Sequence, residues 1–191
     1  MSKSLHSLPI VIGVSGASGS VFAIRLLQIL AELDVPTHLV MSKAAELALS
    51  YETDYRAADV KALANTVYKV QDVGAAISSG SFQTQGMIIA PCSVRTWSEI
   101  ATGVTSSLLT RAADVTLKEK RPLVLMVRET PLHVGHLRSL TALAEMGATI
   151  APPVPAFYLK PQNLEEMVDQ TLIRVLDSFG LAPITAKRWT P

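Results

Sequence analysis

Within SLLTRAADVTLKEKRP, Arg111, Asp114 and Lys118 stand at i, i+3 and i+7, one above another on a helix. By itself such a stripe is a solvated ladder worth about 0.5 kcal/mol per pair. It is followed by PLVLMVRETPLHVGH, where an apolar run closes on Arg128 and Glu129. These two read as an ion pair at the end of a buried strand, and either charge is costly to bury without a partner. Tyr158, after the stiff PPVPAF, and Arg174, in the last helical pattern, are also able to hold a phosphate, although each reads more simply as a core-edge tyrosine and a surface arginine. The set suits a small anion. Lys118 precedes the 122–127 strand and Arg128 follows it, and six strand residues span about 20 Å. Around one small anion these groups meet only if neighbouring subunits complete the site, which predicts an oligomer.

A second kind of site lies in PIVIGVSGASGS. Gly13, Gly16 and Gly19 follow an apolar run and precede a helical pattern, a place where free amides at a helix N-terminus hold anions. Ser15, Ser18 and Ser20 add hydroxyls, and Ser20 is the expected helix cap. Familiar alternatives fail on single residues. G-x-G-x-x-G needs glycine at 14, where Val14 stands, and LVMSK ends the second strand with Ser42 and Lys43 instead of the acid that holds a dinucleotide's ribose. No Walker Gly-Lys-Ser/Thr is present, and neither Ser15 nor Ser18 fits G-x-S-x-G. A mononucleotide remains. APCSVRTWSEIATG repeats the design, with Ser93 and Thr96 opening a helix after Pro91, and for Ser93 a plain cap and a ligand contact weigh equally. Cys92 reads as a small buried side chain, with no histidine nearby in sequence to activate it. His133 and His136 lack a third metal ligand at fitting spacing and read as helix-start and packing residues, so no metal is expected.

The elements that must position these residues follow from hydrophobic patterning. Apolar runs at 9–14, 36–41, 66–70, 87–91, 122–127 and in ATIAPPVPAFY read as strands. Helical patterns at 20–33, 42–51, 57–64, 93–101, 106–119, 133–146 and 163–179 alternate with them, and ISSGSFQTQG reads as a polar loop. That alternation predicts a mostly parallel sheet between helical layers, with ligands at the carboxyl ends of its strands. At 191 residues the chain suits a single domain, 1–191. With 49% hydrophobic and 17% charged residues it is not disordered, and a formal charge of +1 without a basic block excludes a phosphate-tracking nucleic-acid binder. One cysteine, no apolar run near 20 residues and no signal-like start predict a soluble cytoplasmic protein without membrane partners.

Taken together, GVSGASGS, MSKAAELALSYETD, APCSVRTWSEIATG, TRAADVTLKEKRPLVLMVRETPLHVGHL and PPVPAFYLKPQ resemble the UbiX-type flavin prenyltransferases over nearly the whole chain. The resemblance implies a flavodoxin-like (Rossmann-like) α/β three-layer sandwich assembled as a dodecamer. It implies transfer of a dimethylallyl group from dimethylallyl phosphate to reduced FMN, without a metal, making prenylated FMN for a UbiD-type decarboxylase. It assigns FMN to Gly16, Ala17, Ser18, Ser42, Ser93, Val94, Arg95, Thr96 and Arg128. It assigns the prenyl phosphate to Arg111, Lys118, Glu129, Tyr158 and Arg174, drawn from more than one subunit, and puts Ser18 and Glu52 beside the reacting flavin. Trp189 matches a C-terminal tryptophan of the family, and the tail from about 181 to 191 is expected to lie against a neighbouring subunit. On this reading the cations stabilise the departing phosphate, Glu52 or that phosphate accepts a proton, and Glu129 orients or protonates the phosphate. Two alternatives stay open: a flavin-dependent cysteine-type decarboxylase, in which APASANT would stand in place of APCSVRT, and a non-catalytic FMN-binding or flavin-delivery subunit, which has no use for a second phosphate set.

Overall fold

Residues 8–181 are described by a computed structural model. The apolar runs form six strands, β1 Ile10–Val14, β2 Thr37–Met41, β3 Thr66–Tyr68, β4 Gly86–Cys92, β5 Leu123–Val127 and β6 Thr149–Ile150, in the order β3-β2-β1-β4-β5-β6. Every pairing is parallel. Parallel strands need crossovers, which carry α1 Ser20–Glu32, α2 Lys43–Glu52, α3 Ala57–Lys61, α4 Val94–Ala101, α5 Leu108–Lys118 and α6 Val134–Glu145, while α7 Leu164–Asp177 follows the last strand. Without the short edge strand β3 the order is that of flavodoxin. Among the described residues no helix is long and apolar enough to cross a membrane.

β1, β4 and β5 are buried at every position, as continuous apolar runs covered on both faces must be. Their side chains alternate between two cores. Ile10, Ile12, Val14, Ile88, Val124 and Met126 join the core filled by α1 and α7, while Val11, Met87, Ile89, Cys92, Leu123 and Leu125 join that filled by α4, α5 and α6. The chain therefore leaves β1 toward one face and β4 toward the other. Between these adjacent strands a crevice opens at the carboxyl edge.

Three local expectations differ from the structure. Gly13 lies inside β1 rather than in the turn, and a Cβ there would meet Met87 Cε at 2.9 Å, so it serves strand packing. The helix expected over 57–64 stops at Lys61 and the strand over 66–70 stops at Tyr68, because β3 is an edge strand paired only with β2. The polar loop is partly ordered, with a 3-10 turn at Ala76–Ser78 and Gly86 already in β4. Trp189 and all of the tail beyond 181 lie outside the described residues.

Candidate active site

The carboxyl ends of β1, β2, β4 and β5 open into a cleft of about 710 Å³. Gly16, Ala17 and Ser18 enter it from the turn after β1, Ser42 from the end of β2, Ser93, Val94, Arg95 and Thr96 from the turn after β4, and Arg128 and Glu129 from the end of β5. The residues assigned to FMN thus share one concavity, whereas Glu52, expected beside the flavin, does not line it.

Two buried contacts build it. Ser15 is 1% exposed; its hydroxyl donates to Pro91 O at 3.0 Å and accepts from Ser93 N at 2.7 Å, joining the two strand-to-helix turns. Ser15 is therefore a staple of the cleft floor and not a hydroxyl offered to a ligand. Gly16 lies so close to α2 that a Cβ would stand 2.4 Å from Ala44 Cβ. Gly16→Ala must push back the helix start that carries Ser42. The expected outcome is a loss of about 1–3 kcal/mol of stability together with weaker flavin binding, read by thermal denaturation and FMN titration.

The N-terminus of α1 corrects the expectation of a phosphate there. Ser20 is not the cap: it is buried within the first turn, and Gly19, at φ 115°, occupies the cap position without a side chain. Glu52, ending α2, supplies the missing acceptor, taking Gly19 N at 2.9 Å and Ser20 N at 2.8 Å. The anion on this helix end is the chain's own carboxylate. Burial alone raises the Glu52 carboxyl, but donation from the Ser20 and Gly19 amides and the Ser18 and Ser20 hydroxyls outweighs it and holds the group below its ordinary 4.5. Helix N-termini bordering the cleft include those of α2 and α4, and that of α5 at Ser107. Ser42 caps the first through Ala45 N at 3.1 Å and Ser93 the second through Thr96 N at 3.4 Å, so Ser93 is both a cap and part of the cleft. Their amides and dipoles suit a phosphate.

Charge in the cleft is arranged differently from the sequence reading. Arg128 and Glu129 are both exposed, and among the described residues no ion pair joins them. Arg128 N donates to Cys92 O at 3.2 Å, and Glu129 Oε1 accepts from Thr130 N at 2.8 Å. The strand ends before either residue, so neither charge is forced underground. Arg95 pairs with Glu99 at 2.8 Å, and Glu99 also accepts from Ser106 Oγ at 2.6 Å.

The second anion set is dispersed. Arg111 pairs with Asp114 at 2.6 Å and reaches Ser78 O at 3.3 Å, whereas Lys118 pairs with its neighbour Glu119 and not with Asp114, so the expected ladder is half formed. Arg174 pairs with Asp177 at 2.6 Å and borders a separate hollow of about 130 Å³ beside Gln170. Tyr158 is 52% exposed in the 3-10 turn Phe157–Leu159. None of Arg111, Lys118, Tyr158 and Arg174 lines the cleft.

Lys43, Gln71, Ser106 and Ser107 line it without having been singled out. Lys43 was readable as the residue after Ser42 at a strand end, but Ser106 and Ser107 arrive through the α4–α5 connection, which no spacing rule reports. Cys92 is fully buried, and burial pushes its thiol far above the ordinary range, so it is inert. His133 caps α6 and His136 rests against Trp97, the helix-start and packing roles expected. Among the described residues no group of three or more His, Cys, Asp or Glu side chains is placed to hold a metal ion. The cleft volume, the glycine approach at Gly16, two helix ends, the Ser42 and Ser93 hydroxyls and the Arg128 cation together fit a flavin mononucleotide.

Comparison with known proteins agrees with this geometry. Residues 1–174 match the family model described as Flavoprotein. The flavin prenyltransferase UbiX of Escherichia coli strain K12 is 57% identical over 173 residues, 90% of this chain and 92% of that protein. The crystal structure of AnUbiX in complex with FMN and dimethylallyl pyrophosphate superposes with a TM-score of 0.95 at 46% identity, covering 97% of this chain and 98% of that one. A dodecameric FMN-dependent UbiX-like decarboxylase from Escherichia coli O157:H7 superposes with a TM-score of 0.94 at 46% identity, covering 96% and 100%.

Proposed function

Since the chain belongs to the Flavoprotein family and, within it, to the UbiX-type flavin prenyltransferases, we propose that its cleft binds reduced FMN and that the enzyme transfers to it the dimethylallyl group of dimethylallyl phosphate. What supports this reading is that the flavin-sized cleft is lined without Arg111, Lys118, Tyr158 and Arg174, which leaves those groups for a second anion. Holding a flavin needs only the cleft. Bound reduced FMN supplies a nucleophilic ring for the allylic carbon. Ser42, Ser93, Thr96 and Arg128, with the amide ends of α2 and α4, would hold its phosphate, and Gly16, Ala17 and Ser18 would border the flavin.

Arg111, Lys118 and Arg174, brought to the cleft by neighbouring copies, stabilise the charge that develops on the departing phosphate, each cation ~4 Å away being worth roughly 4 kcal/mol at an effective dielectric near 20. Tyr158 adds a hydroxyl donor and Glu129 orients or protonates that phosphate. Glu52, held ionised by the Gly19 and Ser20 amides, or the departing phosphate itself accepts the proton. The apolar strand ends keep out water that would quench a developing allyl cation. An oligomer, with the dodecamer of the solved relative as its pattern, belongs to this proposal, as do a cytoplasmic setting and a UbiD-type decarboxylase as user of the product.

The test is direct. The protein is incubated with FMN, a reductant and dimethylallyl phosphate, and the flavin is extracted for mass analysis. A flavin heavier by the transferred dimethylallyl unit supports the reading. An unchanged mass with FMN bound overturns it in favour of a delivery subunit or a decarboxylase acting on a thiol substrate.

A further inference from the structure

The segment 128–133 carries Arg128 and Glu129 along the cleft and then enters α6. Its near end is tied by backbone, Arg128 N to Cys92 O at 3.2 Å. Its far end is tied by a side chain. His133 Nδ1 accepts from Gly135 N at 3.1 Å and His136 N at 3.3 Å, closing the first turn of α6. The same ring stacks on His136, with centroids 3.6 Å apart and planes 25° from parallel. His136 in turn meets Trp97 edge-on, at 5.6 Å and 88°. Trp97 is fully buried and follows Thr96, a cleft residue of α4. Trp97 Nε1 and His136 Nδ1 are both buried without a hydrogen-bond partner among the described residues, and ring contact holds His136 against α4. Between the two ties, Glu129 to Leu132 are exposed.

We propose that His133 is a positioning residue: by capping α6 and stacking on His136, it fixes the course of 128–132 and so sets where Arg128 and Glu129 meet their anions. This rests on the flavin and phosphate roles given above to those two residues. The cap requires an imidazole whose Nδ1 carries a lone pair, with its proton on Nε2. An asparagine at the same place offers an equivalent acceptor.

Gly135 provides a way to disturb the ring without altering it. A Cβ at 135 would stand 3.0 Å from His133 Cε1 and 3.1 Å from Nδ1, on a ring whose retreat is restricted by the stack on His136. Alanine is also the better helix former, so Gly135→Ala does not lower the melting temperature through α6 itself. In the full-length protein, His133→Ala and Gly135→Ala are each expected to weaken FMN binding and raise the KM for dimethylallyl phosphate by about fivefold, the scale of a lost cap. His133→Asn, which keeps the cap but not the stack, is expected to recover most of each loss. Gly135→Ala with an unchanged melting temperature and impaired binding separates positioning from mere stability. Wild-type affinity and KM in Gly135→Ala, or no recovery in His133→Asn, overturns the proposal. Arg128→Ala is the control: if it binds FMN normally, the role given to Arg128 fails, whereas weak binding in Arg128→Ala beside normal binding in Gly135→Ala removes only the positioning role of His133.

Discussion

Lys118→Ala is expected to abolish prenyl transfer, by about a thousandfold or more, while FMN binding and melting temperature stay at wild-type values. The size follows from one cation near a leaving phosphate, roughly 4 kcal/mol at an effective dielectric near 20, or about three decades of rate. Folding is spared because Lys118 is exposed at the end of α5 and its partner is the adjacent Glu119, a surface pair worth well under 1 kcal/mol. FMN binding is spared because Lys118 does not line the cleft. Single-turnover assays with flavin mass analysis, beside an FMN titration, read both sides. Near-normal turnover would remove Lys118 from the phosphate set and, with it, the strongest reason for a site shared between copies.

Glu52→Gln is expected to cost activity and stability together. The carboxylate takes the Gly19 and Ser20 amides on Oε2 at 2.9 and 2.8 Å, so a glutamine oxygen can keep the geometry but not the charge. After screening at this partly exposed place the loss is about 1 kcal/mol. Turnover is expected to fall about a hundredfold, the lower range for a lost proton acceptor. The pH dependence has a definite sign. The folded carboxyl lies below its ordinary 4.5, so its contribution to stability is complete above that value and drains as pH falls through the folded pKa. The wild type should therefore lose part of its melting temperature below about pH 4.5, and the glutamine variant should show a smaller loss. A variant with the stability change but normal turnover would leave Glu52 as a helix cap alone.

Why the cap fell to Glu52 was not legible locally. Ser20 stands where a cap is expected, but Gly19 takes the left-handed conformation and draws Ser20 into the first turn, leaving two amides for a carboxylate 32 residues away. Sequence spacing carries no information about that pairing. The same holds for Ser15, which looked like a ligand hydroxyl until the turn after β4 was seen 78 residues on. Arg128 and Glu129 looked like a buried pair because the apolar run led into them. In the structure β5 stops at Val127, and both residues beyond it are exposed.

What the amino-acid order settled by itself is the alternation of strands and helices, the two strand-to-helix turns and the residue types that line them. These depend on near-neighbour patterning: apolar runs must be covered, and polar turns with glycine must follow them. The separation of Lys118 from Arg128 and Glu129 was foreseeable from strand length. Which helix end keeps its amides free, which carboxylate covers the other, and how His133 ties the 128–132 segment were decided only by the tertiary structure. Each depends on contacts between groups far apart along the chain, whose distance is set when the sheet and its two helical layers close on one another.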